Sequence, residues 1–167
     1  MTRQPANGPG NWVLLSYRMP REPSTPRITI WRKLKRLGVA QLSDGLIALP
    51  ADARTREHLD WIAEEIVESG GTAAVWHAQP ATLAQERELA AAMAAARRDE
   101  YRSVIEQAAA GSANEAERVR TIRRLRDELR RIHRRDYFPP AERDTARQAV
   151  EALAKPRTKA DAPEMTP

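Results

Sequence analysis

Residues 39–50 read VAQLSDGLIALP: two short apolar runs, 39–42 and 46–49, held apart by Ser43, Asp44 and Gly45. Asp-Gly between such runs suits the left-handed backbone of a tight turn, so the stretch predicts a β-hairpin. A hairpin at this position has a strand-and-helix pattern on each side of it, and that arrangement decides the fold.

Upstream, the spacing predicts a helix from 26 to about 37. Thr25 offers an N-cap oxygen, Pro26 suits the first helical position, and Gly38 stops the helix. Ile30, Leu34 and Leu37 share one stripe with Trp31 at its edge, while Arg32, Lys33, Lys35 and Arg36 fall opposite. Ahead of it, 12–17 (WVLLSY) reads as a buried strand. Downstream, Pro50 closes the hairpin and Asp52 caps a second helix running to about residue 69. Its apolar stripe is Leu59, Ile62, Ala63 and Ile66, and Trp61 points away from that stripe and needs other cover. Gly70-Gly71 end the helix, 72–78 (TAAVWHA) is a fourth strand, and Pro80 terminates it. The order implies an α+β fold: a ferredoxin-like βαββαβ domain over 12–80, with an antiparallel sheet, both helices on one face, and a second face in need of a partner.

After residue 80 the pattern is helical. The Ala-rich 82–109 leads to a break at Gly111, Ser112 and Asn114. Residues 115–136 then place Ile122, Leu125, Leu129 and Ile132 at 3-4-3 spacing on a helix about 33 Å long. Tyr137, Phe138 and Pro139-Pro140 form a corner, and Ala146, Val150 and Leu153 mark a last helix. The expected organisation is a disordered lead over 1–11, the sheet domain, a C-terminal helical region over 81–154 packed on it, and a disordered tail over 155–167.

With 167 residues and 41% apolar content the chain can bury a modest core. The absence of cysteine excludes disulfides, thiolate metal sites and Cys nucleophiles. No apolar run approaches the roughly 20 residues of a membrane span, and the polar first eleven residues do not have a signal-peptide layout, so a cytoplasmic, soluble protein is expected. The net charge of +5 conceals two basic blocks: seven Lys/Arg against one Glu over 18–36, and nine Arg against one Asp and one Glu over 118–135. Two such blocks on an acidic body point to a polyanionic partner; two solvated helix faces would read the same way.

Between the first strand and the first helix lies SYRMPREPSTPR, residues 16–27. Its prolines stiffen a loop that gathers Arg18, Arg21 and Arg27, the hydroxyls of Ser24 and Thr25, and the unpaired N–H groups of a helix start, a combination suited to phosphate or a similar tetrahedral oxyanion. The competing reading pairs Arg18 and Arg27 with Glu64, Glu65 or Glu68 on the second helix. Catalysis has little support. His58, His77 and His133 have no metal-ligand spacing, and there is no phosphate loop, nucleophile elbow or carboxylate pair. A non-enzyme with no metal and no cofactor is expected. Asp44 reads as a turn residue, and Trp12, Trp31, Trp61 and Trp76 read as core and packing, with a platform for base stacking as the lesser alternative.

The stretch 17–50, together with LDWIAEEIVESGG (59–71) and RRIHRRDYF (130–138), resembles the amino-terminal domain of the chromate-resistance regulator family ChrB. That likeness rests on a Tyr-Arg-x-Pro-x-x-Pro-Ser loop, a Trp-Arg basic helix and a Gln-Leu-x-x-Gly hairpin. The resemblance implies a cytoplasmic transcriptional regulator of chromate-efflux genes. Full-length members carry a further domain associated with chromate sensing, so a separately encoded sensing partner or a different signal is expected here. The strand-loop-helix layout is also similar to small CRISPR adaptation nucleases, but Arg18 stands where those place a metal-binding Asp, which argues against a nuclease. It resembles as well the middle domain of the phenylacetate-pathway repressor.

The leading expectation is therefore DNA binding. Arg18, Arg21, Arg27, Arg32, Lys33 and Arg36 would contact phosphates, with Arg123, Arg124, Arg130, Arg131, Arg134 and Arg135 as a second strip. The alternatives are an oxyanion sensor for chromate or sulfate, and an interaction module that forms a homodimer through the sheet face or the Trp61 surface.

Overall fold

The computed structural model describes residues 10–155. The readings of a disordered lead and tail lie outside the described residues over 1–9 and 156–167. Gly10 and Asn11, placed in that lead by the sequence, are tied down. The Gly10 N–H donates to Glu86 Oε1 (2.7 Å), and the Asn11 carbonyl accepts from the Ala51 N–H (2.9 Å).

The described residues form a four-stranded antiparallel sheet and five helices, an α+β arrangement. They run β1 (Trp12–Arg18), α1 (Ser24–Leu37), β2 (Ala40–Ser43), β3 (Leu46–Pro50), α2 (Ala53–Glu68), β4 (Thr72–Ala78), α3 (Leu83–Ala109), α4 (Glu115–His133) and α5 (Glu142–Ala154). The sheet order is β2-β3-β1-β4. The Asp44-Gly45 hairpin is present, with Ser43 opposite Leu46, Gly45 at φ +74° and a bulge between Gln41 and Ser43.

The chain divides into two compact units: residues up to Ala96 together with Arg134–Phe138, and Arg97–His133 together with the chain from Pro139 on. In the first, register sets the core. Val13 lies opposite Leu49 and Leu15 opposite Ile47, so four apolar side chains share one face of the sheet. Ile30 and Leu34 of α1 and Leu59, Ile62 and Ile66 of α2 are buried with them, as the helical stripes require. Each such fully buried side chain contributes about 1.5–3 kcal/mol relative to exposure. Alternation turns Trp12, Leu14 and Ser16 to the second face. There Trp12 stacks on Phe138 (6.0 Å between centroids) and donates from Nε1 to Glu86 (3.1 Å), so part of the predicted partner for this face comes from the chain itself.

In the second unit, Tyr101, Val104, Leu125, Leu129, Ile132, Ala146 and Val150 form a separate core. Arg118 grips Glu115 and donates to the Leu153 carbonyl (2.8 Å), tying the start of α4 to the end of α5.

Three expectations need correction. α1 begins at Ser24 behind Pro23, two residues early, and Thr25 makes no capping hydrogen bond. Pro26 then occupies the third helical position, where its missing N–H is still one of the four that no helix satisfies. α4 ends at His133, short of residue 136, because the next residues join the first unit, where Tyr137 donates to the Leu37 carbonyl (3.2 Å). Nor are all the tryptophans core: Trp12 is buried, whereas Trp61 and Trp76 are more than half exposed.

Candidate functional site

A cleft lies at the end of β1. Tyr17 donates its N–H to the Gly45 carbonyl (2.8 Å), which fixes the hairpin turn against the strand end. On the other side Arg18 pairs in register with Thr72 of β4. The chain then leaves the sheet through Met19 and the Pro20–Pro23 turn and enters α1. An open cleft of about 710 Å³ results, lined by Tyr17, Arg18, Arg21, Arg27, Trp31 and Asp44, with Met19, Ile28 and Gln41 completing its walls.

Arg18, Arg21 and Arg27, distant in sequence terms only by a loop and a helical turn, thus face one space. All three are exposed, and among the described residues none of their side chains makes an ion pair or hydrogen bond. The competing reading, in which Arg18 and Arg27 pair with Glu64, Glu65 or Glu68, is not what the structure has. Glu65 pairs instead with Lys33 (2.5 Å). Three guanidinium groups against one carboxylate leave the cleft cationic, and each planar fork can hold two phosphate oxygens. Burial, followed by the negative charge of Asp44, raises the Tyr17 pKa above its ordinary value, so Tyr17 is a neutral hydroxyl donor at neutral pH.

The other residues singled out from the sequence are dispersed. Ser24 and Thr25 are exposed at the start of α1 and do not line the cleft. Arg32 is exposed on α1 and borders neither groove of that helix. Lys33 and Arg36 line a different groove of about 320 Å³, with Leu37, His58, Trp61 and Ile62. The second strip is divided: Arg123, Arg124, Arg130 and Arg131 lie on α4 in the second unit, Arg134 and Arg135 in the first. Arg124 donates to Gln107, Arg130 pairs with Asp127, and Arg131 lies 3.8 Å from Glu128. Among the described residues no three His, Cys, Asp or Glu side chains are placed to hold a metal ion.

A family model described as Protein ChrB, N-terminal, matches residues 27–120. The chain belongs to the ChrB family. It is 31% identical over 144 residues to Protein ChrB of Cupriavidus metallidurans, a match that covers 83% of this chain and 44% of that protein. The chain therefore spans less than half the length of that relative. No solved structure matches it. The ChrB match takes in Arg27, Trp31, Gln41 and Asp44 and begins after Arg18 and Arg21.

Several members of the cleft do not announce themselves in the sequence. Trp31 falls at the edge of a core stripe, yet it also lines the cleft, with Lys35 Nζ 5.0 Å from its ring centroid. Asp44 and Gln41 read from the sequence as hairpin residues only. The signal that could have found them is the hairpin register, which brings residue 45 against residue 17. On α4, Arg118 and Arg126, which the predicted strip does not include, line a basic groove of about 370 Å³ with Val119, Ile122, Arg123 and Arg130.

Proposed function

We propose that this chain is a cytoplasmic, DNA-binding transcriptional regulator of chromate resistance, and that it holds nucleic-acid phosphates in the cleft at the end of β1. Membership of the ChrB family supports the pathway. One observation carries the mechanism: Arg18, Arg21 and Arg27 converge on one open cleft and have no partner among the described residues. The α4 arginines serve as a second phosphate strip. Their exposed pairs with Asp127 and Glu128 are weak enough for a phosphate to displace, since such pairs hold only about 0–1 kcal/mol. The role is one of binding rather than catalysis. The element order with sheet order β2-β3-β1-β4 supports a ferredoxin-like reading of the first unit, with helices on one face of the sheet.

With six to ten phosphates engaged, affinity for promoter DNA falls by roughly 10³–10⁵ between 50 and 200 mM salt. Replacing Arg18 and Arg21 together by Ala reduces the slope of log affinity against log salt by about 2, with little change in sequence preference. Gel shifts across a salt series measure both. Binding indifferent to salt, or a double variant with the parent's slope, counts against the proposal. The rival oxyanion reading predicts heat on titration with chromate or sulfate. The cleft's size favours the polymer, since about 710 Å³ is far more than one tetrahedral anion fills.

A further inference from the structure

Phosphate binding does not account for everything in the cleft. Asp44 lines it beside three arginines, makes no ion pair or hydrogen bond among the described residues, and is near enough to Tyr17 to act on its hydroxyl. The hairpin turn accounts for an Asp at this position, but a carboxylate here repels phosphate, and its unpaired oxygens give the cleft an acceptor that phosphate cannot use and a ligand with N–H donors can. Ionised Asp only accepts hydrogen bonds, and its two oxygens best suit two adjacent, parallel N–H donors. Among the four DNA bases, guanine alone carries such a pair on its pairing edge, N1–H beside the N2 amino group. Adenine and cytosine set one amino group beside a bare acceptor nitrogen, and thymine sets one N–H between two carbonyls. That edge is occupied in a duplex and free only in an unpaired nucleotide. Trp31 lines the same cleft, so a base seated there meets its aromatic ring, beside which Lys35 Nζ already lies 5.0 Å from the centroid. The volume lies within the range of about 300–1,000 Å³ typical of sites for ligands of this size.

We propose that the cleft takes an unpaired guanine nucleotide, with Asp44 accepting from N1–H and N2–H, Trp31 stacking on the base, and Arg18, Arg21 and Arg27 holding its phosphates. The inference rests on the phosphate reading of the same cleft and adds the base.

The test is fluorescence anisotropy of the full chain with labelled dT octamers that carry one central dG, dA, dC or deoxyinosine. The dG oligomer binds about tenfold more tightly than the others, within the discrimination a bidentate base contact supplies. Deoxyinosine, which lacks the N2 amino group, loses most of that advantage. Asp44→Asn keeps a turn-forming residue before Gly45, so the hairpin persists, as circular dichroism checks. In this variant the dG advantage disappears while the all-dT octamer binds more tightly than to the parent, because a negative charge has left the cleft. Calorimetry with GMP and AMP identifies the source. Preferential GMP binding points to a free nucleotide, and a guanine preference seen only in oligomers points to a nucleic-acid strand. Equal binding of all octamers with the salt dependence intact overturns the guanine site and leaves the phosphate reading standing. Loss of salt-dependent binding altogether overturns both.

Discussion

At the scale of single residues, two glycines shape the cleft by what they lack. Gly45 sits at φ +74°, and a Cβ there would press into the Tyr17 carbonyl oxygen. A Cβ on Gly71 would come within 2.5 Å of the Arg18 carbonyl oxygen. The two residues that carry the cleft's phenol and first guanidinium are therefore approached closely by the β2–β3 turn and by the residue that precedes β4. Gly45→Ala combines a strained backbone with a main-chain clash and is expected to lower stability by roughly 1–3 kcal/mol. Urea denaturation followed by circular dichroism measures it, and an unchanged midpoint would show that the turn relaxes freely. The sequence identifies Gly45 as a turn former, because Asp-Gly between apolar runs has few other uses. It reads Gly71 only as a helix stop, since the contact that excludes a side chain there comes from a residue 53 positions earlier.

At the scale of elements, the helices show which local signals can be read from the chain. The start of α2 is decided locally: Asp52 accepts from the Thr55 N–H (2.7 Å) and Thr55 Oγ1 accepts from the Asp52 N–H (2.9 Å), a reciprocal capping box. Asp52 is legible as a cap from sequence. The role of Thr55, whose hydroxyl also donates to the Pro50 carbonyl (2.7 Å), depends on where β3 ends. Asp52→Ala is expected to cost about 0.5–2 kcal/mol. Thermal melts of the variant would show the loss, and a midpoint equal to the parent's would mean that the cap is dispensable. α1 shows the opposite case. Pro23, Ser24, Thr25 and Pro26 all suit a helix start, so composition alone points to a cap at Thr25, and the chain begins its helix two residues sooner with none. The end of α4 is not local at all. Its apolar spacing continues to Ile132, while the positions of Tyr137 and Phe138 are set by Leu37 and Trp12, about a hundred residues away and invisible to any short window.

At the scale of the whole molecule, the two basic blocks visible in the sequence have different fates. The first concentrates: three of its arginines, drawn from a strand end, a loop and a helix, meet in one cleft without partners among the described residues. The second is largely a helix surface laced with neighbours three residues away, such as Arg118 with Glu115 and Arg130 with Asp127. Charge counting reveals both blocks, but only the tertiary pairing separates them. The helical unit also uses arginine for its own cohesion. Glu142, in the first turn of α5, lies 3.4 Å from Arg98 and 3.1 Å from Arg102 of α3. Its carboxyl is held below the ordinary glutamate pKa by its own backbone N–H, against some opposition from burial and with the help of both arginines. A carboxyl whose pKa is lower in the folded than in the unfolded chain stabilises the fold above the unfolded value, and that contribution disappears as pH falls through the folded one. Glu142 should therefore support the helical unit fully at pH 7, and progressively less as pH drops below about 4.3, the ordinary glutamate value. Glu142→Gln is expected to be less stable than the parent at pH 7, with the difference closing as both are taken to lower pH. Urea midpoints at steps between pH 7 and pH 3 report it. A gap that stayed constant across that range would show that the clasp works through shape and not through charge.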